Sequence, residues 1–192
     1  FSGFLGAYVQ PGKYQARIKL DGETVSVPIT LEPDPYSSAT ASDYEELTKK
    51  LDEAAILVNE ALNSLQAMRK ASSQIQALMS DYPEDKDLMT AGNKALNLID
   101  LWSAKVTQRH IEVYEDEDHW PSLFDVQARH LFDVIDAAGA PIAKGSLDRL
   151  QDLTALWVTL KAERDLIMSQ DIKAINELAK VNKINHVSVM KD

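Results

Sequence analysis

The sequence predicts a mainly α protein: an antiparallel four-helix bundle in up-down-up-down order, preceded by a β-hairpin. Apolar and polar residues alternate over 13–31, which is the period of a half-buried strand. From residue 43 onward the apolar residues recur every three or four positions, which is the period of an amphipathic helix. We therefore divide the chain into a hairpin at 1–33, a linker at 34–42 and a helical bundle at 43–192.

The hairpin is predicted by two alternating runs around a tight turn. Asp21-Gly22 supplies the positive-φ positions that a type I′ turn requires. Pro28 has no N–H to donate, so its strand is expected at a sheet edge or is interrupted there. Residues 4–9 could add a short third strand. The apolar positions are Tyr14, Ala16, Ile18 and Leu20 before the turn, and Val25, Val27, Ile29 and Leu31 after it.

Two or three strands do not form a stable unit in water, because their apolar face needs a second layer. That layer could come from strands that precede Phe1 in a larger protein, from the rest of this chain, or from a second copy. The chain starts without an initiator Met or a signal peptide, and we interpret it as the end of something longer. Unpaired strand edges also predict a homodimer through the hairpin edge.

Helix 1 is predicted from about Ser42 to Ser80. Pro33 and Pro35 hold the preceding linker extended, and the serines after them keep it solvated. Ser42 with Glu45 three residues later indicates a capping box. The predicted core stripe of this helix is Leu47, Leu51, Ala54, Val58, Leu62, Leu65, Met68, Ser72, Ile75 and Met79.

Three further helices, helix 2, helix 3 and helix 4, are predicted at about 84–114, 121–139 and 145–181. Pro121 lies in the first turn of helix 3, and Ser146 is the cap of helix 4. Their predicted core positions are Leu88, Ala91, Ala95, Leu98, Trp102, Val106 and Val113, then Leu123, Phe124, Leu131, Val134, Ile135 and Ala138, and finally Leu150, Leu153, Trp157, Leu160, Ile167, Ile175 and Leu178.

Composition excludes several classes of function. The net charge of −10 and the pI near 4.8 argue against nucleic acid as a partner, because phosphate contacts need clustered Lys and Arg. The chain has no cysteine, which excludes disulfides, cysteine zinc sites and thiol catalysis. It has no run of 18 apolar residues, so no membrane span is expected, and it has no motif for a cofactor.

The densest group of potential metal ligands lies between the second and third predicted helices. It comprises His110, Glu112, Glu115, Asp116, Asp118 and His119. Oxygen-rich loops can hold Ca²⁺ or Mg²⁺, and two histidines with carboxylates could hold Zn²⁺. The alternative is a solvated acidic surface, since neither an EF-hand pattern nor His-Glu-x-x-His is present.

Two charged residues fall in phase with the apolar stripe of the last helix. Arg164 and Asp171 could mark a polar site inside the bundle. Alternatively, they lie where the stripe ends and the core opens to solvent, or they pair with Asp100 and Lys105 and set the register of the helices.

The tryptophans and His130 indicate structural roles. Trp102 and Trp157 are predicted core residues, and Trp120 is predicted to act as a hydrophobic staple for the third helix. His130 stands alone on that helix. No catalytic centre follows from the sequence, and we expect no enzymatic activity from this stretch.

One segment resembles a known family. Val9-Gln10-Pro11-Gly12-Lys13-Tyr14-Gln15-Ala16-Arg17-Ile18, then Asp21-Gly22, then Glu32-Pro33-Asp34-Pro35 are similar to the last strands of the Ig-like module in bacterial sortilin-like, BNR-repeat β-propeller proteins. Proteins of that family are often labelled glycosyl hydrolases and continue into a helical segment. The helical part of this chain has a compatible order, including Pro121-Ser122-Leu123 and Asn176-Glu177-Leu178.

The resemblance implies that the hairpin is the end of an Ig-like sandwich and that a propeller lies upstream in a periplasmic or secreted parent protein. It implies a non-catalytic structural or interaction module, which braces the propeller or mediates contact between proteins. The alternative is an accessory part of a glycoside hydrolase or of a metal-dependent enzyme, with an acidic site near 110–119.

Overall fold

The computed structural model describes residues 6–110, 113, 116, 119–181 and 187–188, and it is mainly helical with a two-stranded hairpin, as the sequence predicts. The strands are β1 (Gly12–Leu20) and β2 (Glu23–Leu31). The helices are α1 (Ala41–Asp81), α2 (Lys86–Val106), α3 (Phe124–Ala138) and α4 (Lys144–Leu166), and α4 continues through a π-helical turn (Ile167–Ile172) into α5 (Lys173–Val181).

Helices α1 and α4 lie side by side and run in the same direction. Trp157 donates its indole N–H to Glu60 Oε2 at 2.5 Å. Two turns further along α4 and one turn further along α1, Arg164 donates to the Ser64 hydroxyl. Later residues of α4 therefore meet later residues of α1, and the two helices form two parallel columns.

Helix α2 runs antiparallel to the column of α4 and α5. The indole N–H of Trp102 donates to the Leu160 carbonyl oxygen at 2.8 Å. The ammonium of Lys94, two turns earlier in α2, lies 2.7 Å from Asp171 Oδ1. Helix α2 thus covers the part of the column that follows residue 160.

Helix α3 continues along the same column from the point where α2 ends. The ring of Phe124 stacks on the indole of Trp157 with their centroids 5.1 Å apart. Further along α3, the Gln127 amide oxygen accepts a hydrogen bond from Arg149 at 2.6 Å. Helices α2 and α3 therefore lie end to end and keep one direction.

The described helices accordingly form three columns, and the predicted up-down-up-down order is wrong. The reason is the unequal length of the helices. At 1.5 Å per residue, the 41 residues of α1 extend over about 60 Å, whereas the 21 residues of α2 cover about 30 Å. Both α2 and α3 are needed to cover α1 along its length, so segment 107–123 joins two helices in line and does not reverse the chain.

The start of α1 differs slightly from its prediction. The capping box is present, but Thr40 and Asp43 form it, not Ser42 and Glu45. The Thr40 backbone N–H donates to the Asp43 carboxylate at 2.6 Å, and the Asp43 N–H donates to the Thr40 hydroxyl at 3.3 Å. The hydroxyl of Thr40 and then its backbone N–H hold the pKa of Asp43 below its ordinary value.

The other predicted helix boundaries need larger corrections. Helix α2 ends at Val106 and not near residue 114, because Thr107 adopts an extended backbone with φ −131°. Helix α3 begins at Phe124, so Pro121 lies outside it. Helix α4 begins at Lys144 with Ala143 as its cap, one residue before its predicted start, and Ser146 lies inside the helix.

The π-helical turn explains a conflict in the core pattern of the last column. Continued α-helical spacing after Ile167 would bring Asp171 into the core. The π turn contains one extra residue, so that Ile172 becomes buried instead and Asp171 moves to the margin, where it pairs with Lys94. Asp171 therefore lies where the core opens to solvent, which is one of the alternatives that its phase left open, whereas Arg164, before the turn, is buried.

The core lies along the contact between the three columns. Trp102 and Trp157 are buried there, which confirms their prediction as core residues. Val113, Val134 and Ala138, which we predicted as core, are exposed. The largest fully buried side chains include Trp102, Phe124, Leu47, Met68, Ile75, Leu88, Ile135, Leu153 and Ile175.

The hairpin has the predicted register and turn. Leu20 pairs with Glu23 across the turn, and Asp21 and Gly22 have φ angles of 48° and 87°, as a type I′ turn requires. Residues 6–9 form no strand, so the third strand suggested at 4–9 is wrong over its described part.

Candidate functional site

The loop between α2 and α3 carries the predicted metal ligands. The ring of His110 stacks on the indole of Trp120 with their centroids 4.3 Å apart. Trp120 lies three residues before the N-cap Leu123 of α3, so it does not occupy the position of the predicted staple. The carboxylate of Asp116 accepts a hydrogen bond from the Val113 N–H at 3.1 Å, and its carbonyl oxygen accepts one from the His119 N–H at 3.0 Å.

These contacts do not assemble a metal centre in the described part of the loop. Among the residues that the structure describes, no three His, Asp or Glu side chains come together as ligands would. Glu112, Glu115 and Asp118 lie outside the described residues. The hypothesis of a metal site near 110–119 therefore gains no support from His110, Asp116 or His119.

A buried polar contact joins α1 and α4. Arg164 is 5% exposed, and it donates to the Ser64 hydroxyl and to Asp165 Oδ1, the latter from Nε at 3.0 Å and from Nη2 at 2.8 Å. Ser64 in turn donates to the Glu60 carbonyl oxygen at 2.7 Å. Because the guanidinium has protein acceptors, this arrangement fixes the register of α4 against α1 and offers no reactive group.

The partners predicted for the charged core positions are wrong. Asp100 forms its ion pair with Arg109, and Lys105 pairs with Glu163 at 2.7 Å. Both pairs are at least one-third exposed on each side, so each contributes little to stability.

Glu60 forms a second contact between these helices, half-buried at their surface. Its carboxylate accepts the Trp157 indole N–H at 2.5 Å and the Lys161 ammonium at 3.0 Å. The hydrogen bond from Trp157, followed by that from Lys161, lowers the pKa of Glu60 against the opposing effect of its partial burial. A carboxylate held ionised in this way suits a structural contact and not a general acid.

The hairpin is the most unusual surface of the molecule. Directly opposite residues in an antiparallel pair point to the same face, so the register places every predicted apolar side chain on one face. We call it the apolar face; its large side chains are Tyr14, Ile18, Leu20, Val25, Val27, Ile29 and Leu31. The opposite face, which we call the basic face, carries Lys13, Gln15, Arg17, Lys19, Thr24, Ser26, Pro28 and Thr30.

The apolar face is open to solvent along its length. Exposure rises from 39% at Leu31, near the base of the hairpin, to 71% at Leu20, next to the turn. All nine residues of β2 are exposed. A contiguous apolar surface of this kind usually marks a site of interaction. Apolar residues that are scattered singly over a surface are common and carry no such meaning.

The base of the hairpin is fixed to the bundle. The Tyr8 N–H donates to both carboxylate oxygens of Asp136 near the end of α3, at 3.0 and 3.1 Å. The Tyr14 hydroxyl donates to the Gln10 carbonyl oxygen at 2.6 Å, and both residues line a shallow groove against Tyr44 in the first turns of α1. The bundle thus holds the hairpin at one end and leaves its tip free for contact.

Sequence reasoning identified the hairpin face but missed the contacts at Glu60 and Ser64. Ser64 gave a usable signal, because it is a polar residue flanked by the apolar positions Ala61, Leu65 and Met68 of the same stripe. Glu60 gave none, since it is one of many acidic residues on exposed helix positions.

No protein family, curated protein or solved structure matches this chain. None of the described helices is both long enough and apolar enough to cross a membrane.

Proposed function

We propose that this chain is a non-catalytic interaction module, in which the helical bundle is a rigid support and the hairpin is the docking element. The observation that carries the proposal is the apolar face, whose seven large side chains are 39–71% exposed at the end of an otherwise well-packed molecule. Burying such side chains provides on the order of 25 cal/mol per Å² of apolar surface removed from water, which is the main driving force of association.

The shape of the face favours a β-structured partner. Alternating side chains on a pleated surface pack against a second sheet at a separation of about 10 Å. In line with the resemblance of residues 9–35, we propose that the partner is the Ig-like and propeller region of a longer BNR-repeat protein, which the bundle would brace. A second copy of this chain, joined through the hairpin edge, is the competing occupant.

Paired substitutions on the two faces of the hairpin test the proposal. Ile18 and Val25 lie directly opposite each other on the apolar face. The double variant Ile18→Ser/Val25→Ser should lose association with the separately produced upstream region of the parent protein, measured by sedimentation velocity. The control Ser26→Ala, on the basic face and on β2, should retain association within a few fold.

Thermal unfolding of the same variants separates docking from folding. We expect the bundle to unfold at the same temperature in all of them, because none of the changes touches the core. Equal association of the double variant and the control would refute the proposal, as would a complete lack of association of the unmodified chain, both with the upstream region and with itself.

A further inference from the structure

The register of the hairpin determines which backbone groups point outward. Leu20 and Glu23 close a two-residue turn, so they exchange both hydrogen bonds of the first pair. Along the rest of the ladder, pairs whose backbone groups bond across to the other strand alternate with pairs whose N–H and C=O groups point outward, away from the hairpin. The outward N–H groups on β1 belong to Lys13, Gln15, Arg17 and Lys19, and the outward positions on β2 are Thr24, Ser26, Pro28 and Thr30.

The two edges of the hairpin are therefore not equivalent. Pro28 occupies an outward position near the middle of β2 and has no N–H, so a strand added there would lack a hydrogen bond. The β1 edge keeps all four outward donors. Within the part of the chain that the structure describes, none of these four N–H groups has a hydrogen-bond partner. A new strand would consequently pair with β1 in preference to β2.

The charge pattern of the same edge restricts the partner further. Lys13, Arg17 and Lys19 stand on the basic face of β1, and no acidic side chain accompanies them on that face. Opposite charges directly across a strand pair are stabilising and like charges are destabilising. A second copy paired through β1 would bring these basic side chains against one another, which disfavours it.

We propose that the β1 edge binds an extended strand whose residues alternate between acidic and apolar side chains. Its acidic residues lie beside Lys13, Arg17 and Lys19, and its apolar residues extend the apolar face beside Ile18. This inference rests on the proposed function, because it specifies the partner and the docking geometry of the same hairpin.

Binding of short peptides to the full chain tests the inference. The first probe is a nine-residue peptide with Glu at odd and Val at even positions, and the second has Lys in place of Glu; fluorescence anisotropy of labelled peptides measures both. We expect the Glu peptide to bind at least tenfold more tightly than the Lys peptide at low salt, with a ratio that falls as salt screens the charges.

Two proline variants compare the edges directly. Arg17 and Ser26 face each other at an outward-pointing pair, so Arg17→Pro removes one N–H donor and one positive charge from the β1 edge, and Ser26→Pro removes one N–H donor from the β2 edge. Arg17→Ser removes the same charge and keeps the donor, so it is the reference for Arg17→Pro. Neither proline variant removes a hydrogen bond between β1 and β2. Compared with Arg17→Ser, Arg17→Pro should weaken binding of the Glu peptide at least tenfold, whereas Ser26→Pro should change its binding to the unmodified chain less than twofold.

Arg17→Glu keeps the backbone intact and reports on charge alone. This variant should weaken the binding of the Glu peptide and strengthen the binding of the Lys peptide. Nuclear Overhauser contacts between Ile18 and Val25 verify that each variant retains its hairpin.

The following results would overturn the inference: equal binding of both peptides, stronger sensitivity to Ser26→Pro than to Arg17→Pro, binding of neither peptide, or self-association that Arg17→Pro abolishes. The double variant Ile18→Ser/Val25→Ser separates this failure from failure of the proposed function. Peptide binding that is lost in the double variant and unchanged in Arg17→Pro would keep the apolar face as the docking surface and remove only the edge.

Discussion

The bundle and the hairpin are both amphipathic, yet the bundle buries its apolar residues and the hairpin exposes them. Leu153 in α4 is fully buried, whereas Leu20 in β1 is 71% exposed. Each lies on a face that its sequence period predicts. Periodicity therefore indicates which side of an element is apolar, but it does not show whether the same chain supplies the layer that covers it.

The difference follows from how many surfaces each element can cover. The three columns bury their stripes against one another because each column lies against the other two. The hairpin has two strands, and within the described residues it contacts the bundle at its base, so its apolar face remains uncovered by those residues. The uncovered face is the region for which we propose a function.

Hydrogen exchange should show the largest contrast between the two regions. We expect inward-bonded hairpin amides, such as that of Ile18, to open with a free energy of about 1 kcal/mol or less, because an isolated hairpin is marginally stable. Core amides of α1, such as that of Ile75, should open only with global unfolding, at about 5–15 kcal/mol. Equal protection of both amides, measured by NMR, would show that the hairpin belongs to the cooperative unit.

Matched leucine truncations should give the next largest contrast. Leu153→Ala removes a fully buried side chain and should lower the free energy of unfolding by about 2–5 kcal/mol. Leu20→Ala removes an exposed one and should change it by less than about 0.5 kcal/mol. Urea unfolding followed by circular dichroism at 222 nm measures both; a cost above about 1 kcal/mol for Leu20→Ala would contradict the assignment of its face as uncovered.

Local chemistry of the sequence predicted the elements well. The alternation of residues 13–31 gave the correct strands and the Asp21-Gly22 turn, because a two-residue period and a positive-φ turn leave few alternatives. The stripe of α1 also located its helix to within a residue at each end. Arg164 falls in phase with the core stripe of α4, and the structure shows that it is buried.

The arrangement of the helices could not be predicted in the same way. Whether segment 107–123 reverses the chain depends on contacts such as Phe124 with Trp157, which are distant in sequence. The π turn was missed because a 3.6-residue period assumes regular hydrogen bonding, and only the burial of Ile172 reveals the extra residue. For the site, the apolar face was predictable, whereas its exposure was not.

Single-residue deletions test the register that the π turn creates. Deleting Ser169 removes the extra residue and leaves Ile172 four positions after Ile167, so we expect the unfolding temperature to change by only a few degrees. Deleting the exposed Val158 rotates Leu160 out of the core, so we expect the free energy of unfolding to fall by about 1.5–3 kcal/mol and the unfolding temperature to fall with it. Differential scanning calorimetry compares them, and an equal loss in both deletions would show that the π turn does not adjust the register.

The smallest expected effect concerns Glu60, whose contacts tie α1 to α4 at the level where α2 ends and α3 begins. Since its pKa is lowered in the folded protein, its ionisation stabilises the fold fully above its ordinary pKa of about 4.5 and progressively less as pH falls below that value. Glu60→Gln should therefore cost less than about 1 kcal/mol at pH 7, because Glu60 and Lys161 are each 37% exposed and solvent screens their charges.

The difference in unfolding free energy between the unmodified chain and Glu60→Gln should shrink between pH 4.5 and pH 3, measured by urea unfolding at each pH. The Trp157→Phe background is the control, because it removes the indole donor that contributes most to the lowered pKa. Glu60→Gln should then have a smaller effect and a weaker dependence on pH. A difference that grows as the pH falls would reverse the sign of this argument and locate the acid-sensitive contact of the bundle elsewhere.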